Sequence, residues 1–181
     1  MLTEGGAVDT AGESNGRARP ARGEAAGPGG SESIPAESFG GEPVVFMSHG
    51  GCLAVYITES GAVYVTGYNS NNEATGMLGL GAAREQEHLG QPTPTKLESL
   101  WATGVRAVTA SAGRLWAVVV DDQGRMFGWG CHRGGQLGLG EGVPDADTPT
   151  LIPLPAPGPG EEPERVVQVS CSWTHTLALT N

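Results

Sequence analysis

The strongest constraint on this chain is a stretch that occurs twice. Gly124–Gly140 reads G-R-M-F-G-W-G-C-H-R-G-G-Q-L-G-L-G. An apolar strand, Met126 to Trp129, runs into a Gly-rich turn and then a second Gly/Leu turn, Gln136 to Gly140. Gly61–Gly81, G-A-V-Y-V-T-G-Y-N-S-N-N-E-A-T-G-M-L-G-L-G, is a weaker copy, and Gly61 falls 63 residues before Gly124. Self-similarity at a fixed period marks a repeat architecture, in which each unit buries its apolar face only by stacking on a neighbour.

The pattern assigns strands in order. Val44–Met47, Leu53–Thr58 and Ala62–Thr66 form the first run, with a Glu59-Ser60-Gly61 turn between the last two. Strand, short Gly turn, strand is a hairpin. Pro92–Leu97 is extended by its prolines and fits only an edge position. The second pass is Val105–Ala110, Leu115–Val120, Arg125–Trp129 and Asp147–Ile152. The third is Arg165–Ser170 and Trp173–Thr180. That makes two four-strand units and half of a third. No helical stripe exceeds one turn, and Leu97–Thr103 is at most a short helical turn.

Ahead of the repeats, residues 1–42 are rich in Gly, Ala, Ser and Glu, with Leu2, Val8, Ile34 and Phe39 as the large apolar residues. Such a composition does not offset the entropy of ordering a chain, so disorder is expected there. The repeats occupy residues 43–181. Glycine at 30 of 181 residues and 13 prolines supply the turns such a fold needs.

Charge and composition exclude several classes. A net charge of −10 argues against a broad nucleic-acid footprint for this chain alone. Arg114, Arg125 and Arg133 are the local basic cluster to weigh against that. No apolar run approaches the roughly 20 residues of a membrane span, and Met1–Gly5 lacks the basic region of a secretory signal. Cys52, Cys131 and Cys171 are an odd number and form no disulfide framework. An intracellular, reducing compartment, cytoplasmic or nuclear, is the expectation.

The motifs G-x-(V/M)-(Y/F)-x-(W/T)-G, (Q/M)-L-G-L-G, P-T, V-x-x-V-(S/A) and H-T-L-A-L-T together resemble the regulator of chromosome condensation repeat. The resemblance covers residues 43–181 and is strongest over Val105–Ile152. It implies an all-β fold, a β-propeller of seven blades with four antiparallel strands each. Its signature falls on Gly61, Gly79, Gly81, Gly124, Trp129, Gly130, Gln136, Leu137, Gly138, Gly140 and His175. The first unit departs from it, with Thr66-Gly67-Tyr68 where the second has Trp129-Gly130-Cys131. Two and a half blades do not close a ring, so a partial propeller with an open edge at Thr176–Thr180 is expected, as a fragment of a larger one. The family's histidine bonds backbone within its blade, a role the resemblance assigns to His175.

Little in the sequence suggests catalysis. His49/Cys52, Cys131/His132 and Cys171/His175 lie close in sequence, but their spacings differ and none is C-x-x-C, so no metal site is expected. Cys131 and His132 are adjacent on a strand and point to opposite faces. Asp121-Asp122 reads as turn chemistry. The glycines match neither phosphate-cradle motif, so no cofactor is expected. Inter-blade packing accounts for Trp101, Trp116, Trp129 and Trp173. Ser172–Thr176 is similar to a Gly-Trp-Arg-His-Thr motif in the family's photoreceptor branch, with Ser172 and Thr174 replacing Gly and Arg.

The resulting reading is a non-enzymatic protein-interaction module. Its partner contacts are placed in the variable loops, at Asn71, Asn72, Glu73, His132, Arg133, Asp145 and Asp147. Two alternatives follow from the resemblance: a guanine-nucleotide exchange factor for a small GTPase, and the regulatory propeller of a ubiquitin ligase. No small-molecule substrate and no membrane partner is expected.

Overall fold

The computed structural model describes residues 8–10, 32–68, 76–81 and 90–181. A two-stranded pair, β1 (Val8–Thr10) and β2 (Glu32–Ile34), precedes a single 3-10 turn at Ala36–Phe39. The first four-stranded sheet is β3 (Val44–His49), β4 (Leu53–Thr58), β5 (Val63–Tyr68) and β6 (Gly90–Lys96). A five-residue helix α1 (Glu98–Ala102) leads to the second sheet: β7 (Ala107–Ala112), β8 (Trp116–Asp121), β9 (Met126–Gly130) and β10 (Ala146–Ile152). The last pair is β11 (Val166–Cys171) and β12 (Thr176–Thr180). Every pairing is antiparallel, and strands follow sequence order across each sheet. This is the expected all-β partial propeller of two four-stranded blades and a half blade.

Local chemistry explains the strand order. β8 is buried at all six positions, because it is a central strand of a sheet covered on both faces. Pro92, Pro94 and Pro149 sit only in β6 and β10, the outer strands, where a missing N–H breaks no ladder. The first strand of each unit carries a register shift at the same place: around Val45, Val108 and Val167. These three valines are 53–55% exposed, consistent with a bulge that turns one side chain out of the packed face.

The blades are joined by a seam that repeats. The Gly61 carbonyl of the first blade accepts from Ala107 N at 3.0 Å, and Gly124 O accepts from Val166 N at 3.0 Å. Ser48 Oγ accepts from Ala112 N at 3.0 Å, and Ser111 Oγ accepts from Cys171 N at 2.8 Å. Trp116, 1% exposed, donates from Nε1 to Thr176 Oγ1 of the half blade at 3.1 Å. Close approach needs glycine here. A Cβ on Gly50 would lie 1.8 Å from Gly113 O, and one on Gly113 would lie 2.9 Å from Ser172 O.

The expectation of disorder through residue 42 fails at its end. Phe39 is fully buried, with its ring 5.2 Å from that of Tyr56 and 5.5 Å from that of Tyr64. One aromatic side chain covering the face of a neighbouring sheet is enough to anchor the turn that carries it. Residues 1–7 and 11–31 lie outside the described residues. Among the described residues β12 pairs with β11 alone, and Leu177 and Leu179 are 65% and 58% exposed, so the expected open edge is present there.

The seam makes an internally controlled prediction. Ser111→Ala should lower stability in urea unfolding by about 1 kcal/mol, the cost of a lost hydrogen bond. Ser170→Ala, at the equivalent but exposed position of the half blade, should leave the unfolding midpoint unchanged.

Candidate interaction face

Antiparallel order sends the β3–β4, β7–β8 and β11–β12 tips to one end of the blades. The Gly/Leu turns emerge at that same end. Tyr68 N donates to Cys52 O at 3.0 Å and Cys131 N donates to Leu115 O at 2.9 Å, tying the exit of each third strand to the preceding tip. The turns at Gly61 and Gly124 lie at the other end. Arg125 belongs there, where it pairs with Asp121, while Arg114 and Arg133 are on the tip face. The three arginines therefore form no single patch.

The Gly/Leu turns are built alike. Gly79 N donates to Gly76 O at 2.9 Å, and Gly138 N donates to Gly135 O at 3.0 Å. Gly79 and Gly138 have φ of 71° and 65°, a region closed to most side chains. A Cβ on Gly79 would also strike the Trp129 ring, 2.8 Å away. Leu78 and Leu137 are buried beneath the turns, and Gly81 N crosses to Asp147 O of the next blade at 2.9 Å. Gly130, at φ 101°, passes 2.3 Å from Leu115 O at its would-be Cβ. Gln136 Oε1 accepts from Gly134 N at 2.9 Å. The signature residues are thus mostly turn and seam geometry.

Several expected partner contacts turn out to be structural. His132 is 3% exposed. Its Nδ1 accepts from Leu137 N at 3.2 Å, which leaves the proton on Nε2 to donate to Gly140 O, also at 3.2 Å. Both ring nitrogens are spent holding the turn. Asp145, with a side chain 6% exposed, accepts from His132 N at 2.8 Å and from Arg133 Nε at 3.1 Å. Arg133 itself is 65% exposed and remains presented to solvent. Asp147 is half-buried in β10, against Gly76. Asn71, Asn72 and Glu73 lie outside the described residues.

His175 does not take the backbone-bonding role. It is exposed, and its Nδ1 pairs with the Thr174 hydroxyl at 2.9 Å. His132 does that work instead, in the second blade. Asp121 is turn chemistry as expected: Oδ1 accepts from Gln123 N and Arg125 N, and Oδ2 from Arg125 Nε at 2.7 Å. Trp116 and Trp129 pack between blades. Trp101 instead lies beside two cations, Lys96 and Arg106, each 3.8 Å from its ring centre. Trp173 is 70% exposed, so it is not packing either.

The tips border a shallow, open groove. It has a volume of about 160 Å³ and is lined by Gly50, Gly51, Ala112, Gly113, Arg114, Cys171, Ser172 and Trp173. The Arg114 guanidinium stands 5.3 Å from the Trp173 ring centre. Gly51 N donates to Gly113 O at 3.1 Å across the floor. Burial pushes the Cys171 thiol up, against the lowering effect of its Thr176 contact at 3.5 Å. The thiol stays protonated at neutral pH and acts as a small apolar wall. Repeated glycines in the tips were visible in sequence. That tips 63 residues apart meet was not.

Repeated four-stranded blades stacked through a recurring geometry of glycine turns define a β-propeller repeat protein. Residues 123–179 match the family model for the Regulator of chromosome condensation (RCC1) repeat. The chain is 32% identical over 143 residues to the Ultraviolet-B receptor UVR8 of Arabidopsis thaliana, covering 79% of this chain and 28% of that protein. It is 30% identical over 146 residues to the human E3 ubiquitin-protein ligase HERC2, covering 81% of this chain and 2% of that protein. Among solved structures, yeast RCC1 (Prp20) bound to Kap60 superposes with a TM-score of 0.65 at 17% identity, over 84% of this chain and 32% of that one. Human WBSCR16 superposes at 0.59 with 25% identity, over 77% and 31%. Residues 123–179 carry a regulator of chromosome condensation repeat, and the chain spans less than a third of the length of these relatives.

The division between structural and presented residues is testable. Asp145→Ala should cost about 2 kcal/mol in urea unfolding, because the buried His132 N–H loses its acceptor. Arg133→Ala, which leaves the His132 N–H to Asp145 bond in place and removes only the solvent-facing partner of the pair, should cost less than Asp145→Ala.

Proposed function

We propose that this chain is a non-enzymatic protein-interaction module, part of a larger propeller, that meets its partner through the tip face. The observation that carries this reading is Trp173. A large aromatic side chain is 70% exposed on a tip whose backbone is fixed by the seam, beside a groove. Exposed aromatics on rigid supports are typical of interface anchors. Arg133 adds a solvent-facing cation on the same face.

A second reading is exchange-factor activity toward a small GTPase. It is favoured by one neighbour, yeast Prp20p, whose structure is reported with its binding properties to Gsp1p and histones. That likeness is at 17% identity and supports the fold. A role as the regulatory propeller of a ubiquitin ligase rests on the similarity to HERC2, of which this chain matches 2%. The three free cysteines support an intracellular place of action.

Face-specific crosslinking separates these readings. A photoreactive residue in place of Arg133 or Thr174, on the tip face, should capture a discrete partner band in cells. The same residue in place of Asp122, at the other end of the blades, should not. Equal capture from both ends would remove the assignment. Accelerated release of labelled GDP from a small GTPase by the purified chain would replace it with the exchange-factor reading.

A further inference from the structure

We propose that residues 153–159, in the connection between the second blade and the half blade, are a docking strap for a partner domain that reads polyproline through an aromatic-lined groove with a basic rim. The strap follows β10 and leads into β11, so it lies at the end of the blades opposite the tip face. It is a second contact site, independent of Trp173.

The sequence of this connection, P-L-P-A-P-G-P, fixes its backbone. Proline holds φ at about −65°, and the residue before a proline is kept out of the helical region. Every residue from 152 to 159 is one or the other, so the whole run is confined to extended, polyproline-II-like conformations. Pro153, Pro155, Pro157 and Pro159 have no N–H to pair with a sheet, and residues 153–158 belong to no strand or helix. Both ends are held. Ile152 is 4% exposed and Leu154 packs against the core, while Gly158 N donates to Glu161 Oε2 and Glu161 N to Gly158 O, both at 3.0 Å. Between these anchors Pro153, Pro155, Ala156, Pro157 and Pro159 face solvent. With three residues per turn, Pro153 and Pro159 share one edge of the run, and Pro155 and Pro157 stand on the other two. A run already held extended loses little conformational freedom on binding, which is what polyproline-reading grooves exploit.

Joining two blades does not call for these prolines. The matching connection after the first blade is the short helix α1. It buries Leu97 and Leu100, at 1% and 3% exposure, as the second connection buries Ile152 and packs Leu154. Both links do the same packing, and only the second adds a row of exposed rings. The flank of the strap sets the charge of the partner. Glu162 and Glu164 are exposed a few residues beyond Pro159, and Arg165 is the one cation in residues 153–165. A basic rim beside the partner's aromatic groove complements that flank.

An array of purified SH3, WW and EVH1 domains, probed with the labelled full chain, tests this. A subset with Lys or Arg at the groove rim should bind, and a synthetic peptide of residues 151–162 should displace the chain from them. Replacing both Pro155→Ala and Pro157→Ala should weaken binding by about tenfold or more, with circular dichroism matching the parent. Replacing both Glu162→Lys and Glu164→Lys should weaken the same domains by about threefold or more. An array on which nothing binds overturns the proposal. So does binding that survives the proline variant, which would leave the prolines as stiffening of the link alone, or binding that the peptide fails to displace. Binding unchanged by the lysine variant overturns the basic rim. The tip-face reading is decided separately. Capture from Arg133 or Thr174 should persist in the proline variant, and any band from Asp122 that this variant abolishes belongs to the strap.

Discussion

Everything in this molecule depends on how one sheet lies against the next. A lone four-stranded sheet exposes two apolar faces and is not stable, so each blade exists because a neighbour covers it. The seam achieves this with a small set of repeated contacts: a turn carbonyl to the next blade's first strand, and a serine hydroxyl to an amide near that strand's end. Each is worth about 1 kcal/mol, and the larger gain is burial of side chains such as Trp116, Trp129 and Leu137. The hydrogen bonds set the register at which that burial occurs. Glycine is required at the tips because two backbones meet there at a distance that excludes even a methyl group.

Most of the fold was legible because a repeat states its own answer more than once. The offset between Gly61 and Gly124, the alternation in Leu53–Thr58 and the edge prolines each point to the same blade, and the observed strand ends differ from expectation by a few residues. Phe39 was missed because the residues around it are polar and small. A signal did exist: Glu37-Ser38-Phe39 reappears as Glu98-Ser99-Leu100 ahead of the next blade, and Leu100 is buried as well. The repeat therefore begins before residue 43.

The candidate site was less legible, and the histidines show why. His132 and His175 are both turn-proximal, and residue type alone ranks neither. What separates them is the loop that closes over the ring. The Gly/Leu turn returns Leu137 N and Gly140 O to His132, and Asp145 comes back to its backbone amide from the far side of the loop. No such turn wraps His175, which is left to pair with its neighbour Thr174. The groove has the same character. It is made by approach between tips that belong to different repeats, and no window of sequence contains it.

Exposure in the half blade has two distinct origins, and equivalent positions separate them. Ser170 is exposed, while its counterparts Ser48 and Ser111 each accept a hydrogen bond from the following unit. Among the described residues no following strand reaches Ser170, so its exposure reflects a missing neighbour. Trp173 is different. Its counterparts are Gly51, which is exposed, and Arg114, which is half-exposed although the half blade follows it. The tip position faces solvent in every unit, covered or not. By analogy with the complete sheets, a third strand of the same blade would pair β12, and a following unit would satisfy Ser170. The tryptophan is therefore presented by the geometry of the repeat itself, which is the condition a docking surface on a propeller has to meet.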